Sequence, residues 1–153
     1  MMADVATLLL ELRGVVEADP ERVAEILLDA RPGGRSPLAP ENADDVIATP
    51  PGEGLPAGES FTVRRSGSRF TVTVDRPGRS VVLQGEWWYR GETSVAAEPR
   101  GALVTHRIFD VAGSRPWAVR FVSRGPLLAA PVAFAEYLRA LGEQLGCAAY
   151  PLD

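Results

Sequence analysis

Between Glu59 and Asp110 the chain alternates. "SFTVRR" sets Phe61 and Val63 on one side, and "RFTVTVD" does the same with Phe70, Val72 and Val74. Successive side chains of a strand point to opposite faces, so runs of this kind read as half-buried strands. Ser66-Gly67-Ser68 links the first two as a hairpin turn. In "DRPGR", Pro77 and Gly78 are placed for a type II turn, and "EPRG" turns the chain again before Gly101. "SVVLQGEWWYRGETSVAAE" and "ALVTHRIFDVA" complete the series. Connections this short join antiparallel neighbours, so the segment is a meander. A sheet with one apolar face must then be covered by something.

The flanks supply the cover. "TLLLELRGVVE" places Leu8, Leu10, Leu12 and Val16 on one face and Glu11, Arg13 and Glu17 on the other, which predicts another strand. "DPERVAEILLDA" follows. Asp19 is a suitable N-cap, Pro20 suits the first helical position, and Glu21 favours the positive helix end. Val23, Ile26 and Leu27 form an apolar stripe, and the helix should end before Pro32. Residues 31–58 are rich in Pro and Gly and read as loop. A short strand is expected at Asp45–Thr49 and a helical turn near Pro40–Ala43. "RPWAVRFVS" fits strand or helix equally. "APVAFAEYLRALGEQLG" predicts a long amphipathic helix, with Pro131 near its start and Gly146 at its end. Its stripe takes Val132 or Phe134, then Tyr137, Leu138, Leu141 and Leu145. It is the one element long enough to lie across the meander.

Composition narrows the function classes. The chain has 153 residues, which suits a single domain over 1–153. Its net charge is −4 and all 16 basic residues are Arg. The only adjacent basic pair is Arg64-Arg65. Arg13, Arg69 and Arg107 are spread along strands as an outward, salt-bridged face, so nucleic-acid binding is not expected. No segment approaches the roughly 20 apolar residues of a membrane span, and the N-terminus lacks the basic start of a signal peptide. One cysteine, Cys147, fits a reducing compartment. A cytoplasmic location is the expectation.

Catalytic signatures are few. One His and one Cys do not make a typical zinc site, and Glu41, Asp44 and Asp45 read as solvated loop charge, so no metal is expected. "PGEGLPAGE" precedes a strand and lacks the Lys-Ser/Thr of a phosphate loop. No Gly-x-Ser-x-Gly elbow is present. No cofactor is implied. His106 shares a face with Val104 and Ile108. Asp110 lies four residues on, roughly 13 Å along a strand, too far for a hydrogen bond. A catalytic His106 would need its partner from another strand.

The element order, with "LELRGVVEADPERVAEILLDA", "DRPGRSVVLQGEW", "AAEPRGALVTHRIFDVA" and "FAEYLRALGEQL", resembles the START-like or SRPBCC superfamily, the Bet v 1 helix-grip fold. This superfamily includes the polyketide cyclase/dehydrase and lipid-transport family. The matching pieces span nearly the whole chain, and the strand-Asp-Pro-Glu-Arg-Val opening is the most specific of them. Ala24 stands where members often carry Trp, and Gly101-Ala102 stands where many have Gly-Thr. The resemblance implies an α+β fold. A curved antiparallel sheet wraps a long C-terminal helix around an apolar cavity, with a short helix after the first strand. It transfers no catalytic residue.

The adjacent Trp87 and Trp88 cannot both enter one core from a strand. Odd positions from Val81 through Leu83, Gly85, Trp87, Tyr89, Gly91, Thr93 and Val95 are apolar, aromatic or small, while even positions are mostly polar. Trp87 and Tyr89 are therefore expected to face the helix, and Trp88 to lie outside unless a bulge intervenes; a turn near Arg90-Gly91 would keep Trp87 inside but scramble the phase after it. The two glycines beside large rings suggest open space. The cavity candidates are Leu83, Trp87, Tyr89, Thr93, His106, Phe134, Tyr137 and Leu141, with Arg120 a further polar group that could point inward. A small hydrophobic molecule (lipid, polyketide-like or aromatic) is the leading partner. A cyclase/aromatase-like enzyme using His106 or Tyr89, and a protein-interaction module marked by an exposed patch around Trp88, are the alternatives. A homodimer stays open.

Overall fold

The alternating segments do pair into one antiparallel sheet. The computed structural model describes residues 6–30, 35–37, 46–48, 59–65 and 68–152. Its strands are β1 (Thr7–Val16), β2 (Val46–Ala48), β3 (Glu59–Arg65), β4 (Ser68–Asp75), β5 (Ser80–Gly85), β6 (Tyr89–Glu98), β7 (Gly101–Asp110) and β8 (Ala149–Pro151). They lie in the order β2-β3-β4-β5-β6-β7-β1-β8. The helices are α1 (Pro20–Leu27), α2 (Pro116–Val122) and α3 (Arg124–Leu145). This is the expected helix-grip arrangement: a meander closed by the first strand, with a long C-terminal helix packed on β1 and β8. The helical turn near Pro40–Ala43, the acids Glu41, Asp44 and Asp45, and the Ser66-Gly67 turn lie outside the described residues.

The core follows the alternation. Val72, Val74, Val81, Val95, Val104 and Ala102 are buried on the inner face, where they meet Phe134, Leu138 and Leu141 of α3. α1 adds Val23 and Leu27. Its Asp19 side chain accepts a hydrogen bond from the Glu21 amide (2.8 Å), which satisfies one of the open donors of the first turn. On the outer face, Glu11 and Arg107 are paired across β1 and β7, and the guanidinium donates to the carboxylate at 2.7 Å. That hydrogen bond holds the Glu11 carboxyl below its ordinary pKa. Arg13 adds a looser contact at 3.9 Å.

Three local expectations are corrected and one open reading is resolved. The first concerns Leu8, which strict alternation groups with Leu10 and Leu12. The register between β1 and β7 shifts between Leu8 and Leu10, so Leu9 is an extra residue opposite no partner. A bulge of this kind reverses the phase of the residues before it. Leu8 therefore pairs with Phe109 and is 48% exposed, while Leu9 packs inward.

The second is the Pro77-Gly78 turn. The positive φ falls on Arg79 (50°), not on Gly78, so the connection is not type II. The Arg79 amide donates to the Arg76 carbonyl and closes the turn.

The third and fourth lie at the C-terminal end. "RPWAVRFVS" is mostly helix α2, and α3 begins at Arg124 rather than near Pro131. Pro131 sits inside α3, where it removes one backbone hydrogen bond. Gly146 ends the helix in the left-handed conformation (φ 67°), as the sequence indicates.

Candidate functional site

The position of α3 over the sheet creates the site. Near its C-terminal half the helix comes close. A Cβ added to Gly14 of β1 would run into Leu138 Cδ1 and stand 3.0 Å from the Tyr150 carbonyl, so glycine lets Leu138 pack directly on the strand. Further towards its N-terminus α3 presents Pro126, Ala129, Ala130 and Ala133. These side chains are too short to fill the space to the sheet, and a half-open cleft of about 540 Å³ remains. Small-molecule sites typically occupy about 300–1,000 Å³.

The sheet wall carries Leu83, Tyr89, Thr93, His106 and Ile108. Phe134 and Tyr137 complete the helix wall. Three rings form a ladder across the gap. His106 stacks on Phe134 (centroids 6.1 Å apart, planes 19° apart), and Phe134 stacks on Tyr137 (6.3 Å, 10°). The charged side chains among the lining residues, Glu136 and Arg139, are both exposed.

His106 and Thr93 are direct partners in the β6–β7 register, and Thr93 Oγ1 lies 2.9 Å from His106 Nδ1. Burial pushes the imidazole below its ordinary pKa, so the ring is neutral at pH 7. Among the described residues its hydrogen-bond partner is a hydroxyl, not a carboxylate. The arrangement therefore lacks the carboxylate that orients and charges a typical catalytic imidazole.

A pH dependence follows. The unfolded state takes up a proton near the ordinary His value of about 6.5, while the folded state resists it. The unfolded state then binds more protons, so stability falls as pH drops below about 6.5 towards the depressed folded value. The melting temperature should fall between pH 7 and pH 5, and His106→Gln should flatten that fall. An unchanged slope in His106→Gln would show that the imidazole is not the group responsible.

Of the eight candidate side chains, Leu83, Tyr89, Thr93, His106, Phe134 and Tyr137 line the cleft. Leu141 does not. It is fully buried in the core beside Leu138, because the helix stripe is wide enough for one edge to seal the core and the other to face the gap.

Trp87 and Trp88 are the main correction. β5 ends at Gly85 and β6 begins at Tyr89, so Glu86–Trp88 form a loop in which strand alternation is suspended. Trp88 is the buried indole, at 9% exposure, against Ile108, Val119 and Ala130. It meets Tyr89 edge to face, with ring centroids 5.4 Å apart. Trp87 is half-buried, lies outside the cleft, and donates its indole N–H to the Ser114 carbonyl (2.7 Å). With Trp88 buried, the exposed patch that the interaction-module alternative called for does not form around it. Among the described residues the exposed large aromatics are instead Trp117 and Phe121 of α2, with the Arg120 and Arg124 guanidinium groups over the Phe121 ring. Arg120 is thus exposed rather than inward.

The space expected beside the glycines is also taken. A Cβ on Gly91 would lie 2.6 Å from the Tyr89 hydroxyl, so this glycine seats the tyrosine ring and does not open the cavity. The alanines of α3 open it, and the alternation of the strands gives no hint of them. Their signal is Pro126, Ala129, Ala130 and Ala133, a run of small residues on the one long helix.

Among the described residues no three His, Cys, Asp or Glu side chains come together as a metal site, and no helix is long and apolar enough to cross a membrane. No family model matches the chain, and no curated protein matches it. Two solved structures are similar in shape. TTHA0849 from Thermus thermophilus is 16% identical, with a TM-score of 0.47, over 88% of this chain and 95% of that one. Ara h 8.0201 is 12% identical, also with a TM-score of 0.47, over 88% of this chain and 96% of that one. At this level neither protein lends a ligand or an activity to this chain.

Proposed function

We propose that the protein binds a small hydrophobic molecule in the cleft between the sheet and α3. The observation that carries this reading is the gap itself. Leu83, Ile108, Phe134 and four alanines face a space that the described side chains leave unfilled. Well-packed interiors rarely leave such voids, and apolar walls gain by being covered. A ligand burying about 250 Å² of apolar surface would gain roughly 6 kcal/mol before the costs of association, so this contribution alone supports a dissociation constant no tighter than tens of micromolar.

N-phenyl-1-naphthylamine, an uncharged fluorescent probe, tests this directly. Its emission should rise and saturate at one probe per chain. Trp88 touches Tyr89, Ile108 and Ala130 from the side away from the gap, so its emission should change over the same concentration range. No saturable response up to the solubility limit of the probe would refute the proposal.

A further inference from the structure

The cleft holds one polar group with no use inside the described structure. The hydroxyl of Tyr137 is buried, and among the described residues it has no hydrogen-bond partner. Tyr137 also lines the cleft, on the far side of Phe134 from His106. Buried hydroxyls are nearly always paired, because leaving one unpaired forfeits the hydrogen bonds it made to water. Burial drives the phenol pKa upward, so the group stays protonated and available as a donor.

Its neighbours define what it can meet. The other uncharged polar side chains on the walls are Tyr89, Thr93 and His106, and the last two bond to each other. The imidazole is neutral, so among the described residues that line the cleft there is no buried cation to compensate an anion. Arg139 is exposed and paired with Glu143 at 2.6 Å.

We infer that the ligand is an uncharged amphiphile, an apolar skeleton carrying a ketone, ester or similar oxygen that accepts the hydrogen bond of Tyr137 Oη–H. This inference rests on the binding role proposed above and adds its chemical class. A carboxylate in the same place would gain one hydrogen bond but lose its hydration without a counter-charge.

Three naphthalenes of nearly equal size separate the outcomes: 2-ethylnaphthalene, 2-acetylnaphthalene and 2-naphthoate, each titrated calorimetrically into the wild-type chain and Tyr137→Phe. The substitution should weaken 2-acetylnaphthalene about 10-fold, equivalent to about 1.4 kcal/mol. It should leave 2-ethylnaphthalene within about 2-fold, so the coupling belongs to the oxygen. Naphthoate should bind most weakly to both proteins. Without ligand, Tyr137→Phe should melt at a higher temperature, because it removes an unpaired buried hydroxyl. Equal effects on the ketone and the hydrocarbon, or naphthoate binding best, would overturn the inference while leaving hydrophobic binding intact. If none of the three bound the wild-type protein, the binding role itself would fall.

Discussion

Trp88→Ala should destabilise the protein by about 3–5 kcal/mol, the usual cost of truncating a large buried aromatic. Trp87→Ala should cost roughly 1–2 kcal/mol, from one hydrogen bond to the Ser114 carbonyl and partial burial. The asymmetry follows from where the indoles lie. Trp88 joins the end of the sheet to both covering helices, through Ile108 on β7, Val119 on α2 and Ala130 on α3. Removing it leaves a cavity shared by three elements, none of which can move in without the others. Total stabilities of such domains are about 5–15 kcal/mol, so this single change removes a large share. At roughly 2–4 °C per kcal/mol, the melting temperature should drop by about 6–20 °C for Trp88→Ala, and by only a few degrees for Trp87→Ala. Urea unfolding of the two variants would measure both. A costlier Trp87→Ala would mean that the loop presents the other indole to the core.

The adjacent tryptophans also mark where sequence reasoning stops being reliable. The odd-position phase read from Val81 survives the hairpin. Leu83 pairs with Gly91, and Thr93 and Val95 are buried as expected. It survives because the loop holds three residues, so a Gly85-to-Tyr89 step keeps parity. Alternation predicts faces only while both strands persist, and Trp87 and Trp88 lie in the interruption. The Leu9 bulge in β1 is the same limit in another form. One unpaired residue leaves no trace in composition, yet it moves Leu8 to solvent.

Helix α2 is illegible for a different reason. Its N-cap residue Arg115 makes no side-chain cap, and its apolar residues Trp117, Phe121 and Val122 stay exposed. Its one start signal is Pro116 in the first turn, and among its described residues only Val119 is buried, so no apolar stripe reveals it. Pro131 misleads in the opposite direction. Proline favours the first turn of a helix, but here the preceding α2 runs almost directly into α3 through Ser123, whose backbone is itself helical (φ −79°, ψ −13°). The same continuity carries Pro126, Ala129 and Ala130 into the long helix and so makes them cleft wall. Large rings beside glycines suggest a cavity from the sheet side. The cavity depends instead on where a helix starts.

That dependence points to the substitution with the largest expected effect on binding. Ala133→Trp should weaken N-phenyl-1-naphthylamine about 100-fold or more, equivalent to about 2.7 kcal/mol. Ala133 lines the cleft and is itself exposed, so a larger side chain displaces no packed neighbour. An indole covers about 150–250 Å². Laid along Leu83, Ile108 and Phe134, it would withdraw roughly 4–6 kcal/mol of apolar contact from any ligand, so even partial insertion is enough. The melting temperature should hold or rise, because the indole covers the same apolar walls as a ligand would. Leu128→Trp is the matching control. Leu128 is 82% exposed on the same helix and does not line the cleft, so its variant should bind the probe like the wild-type chain. Equal affinity in Ala133→Trp and Leu128→Trp would place the probe elsewhere on the protein. A loss confined to Ala133→Trp, with the fold intact, would tie binding to the gap left by the small residues of α3.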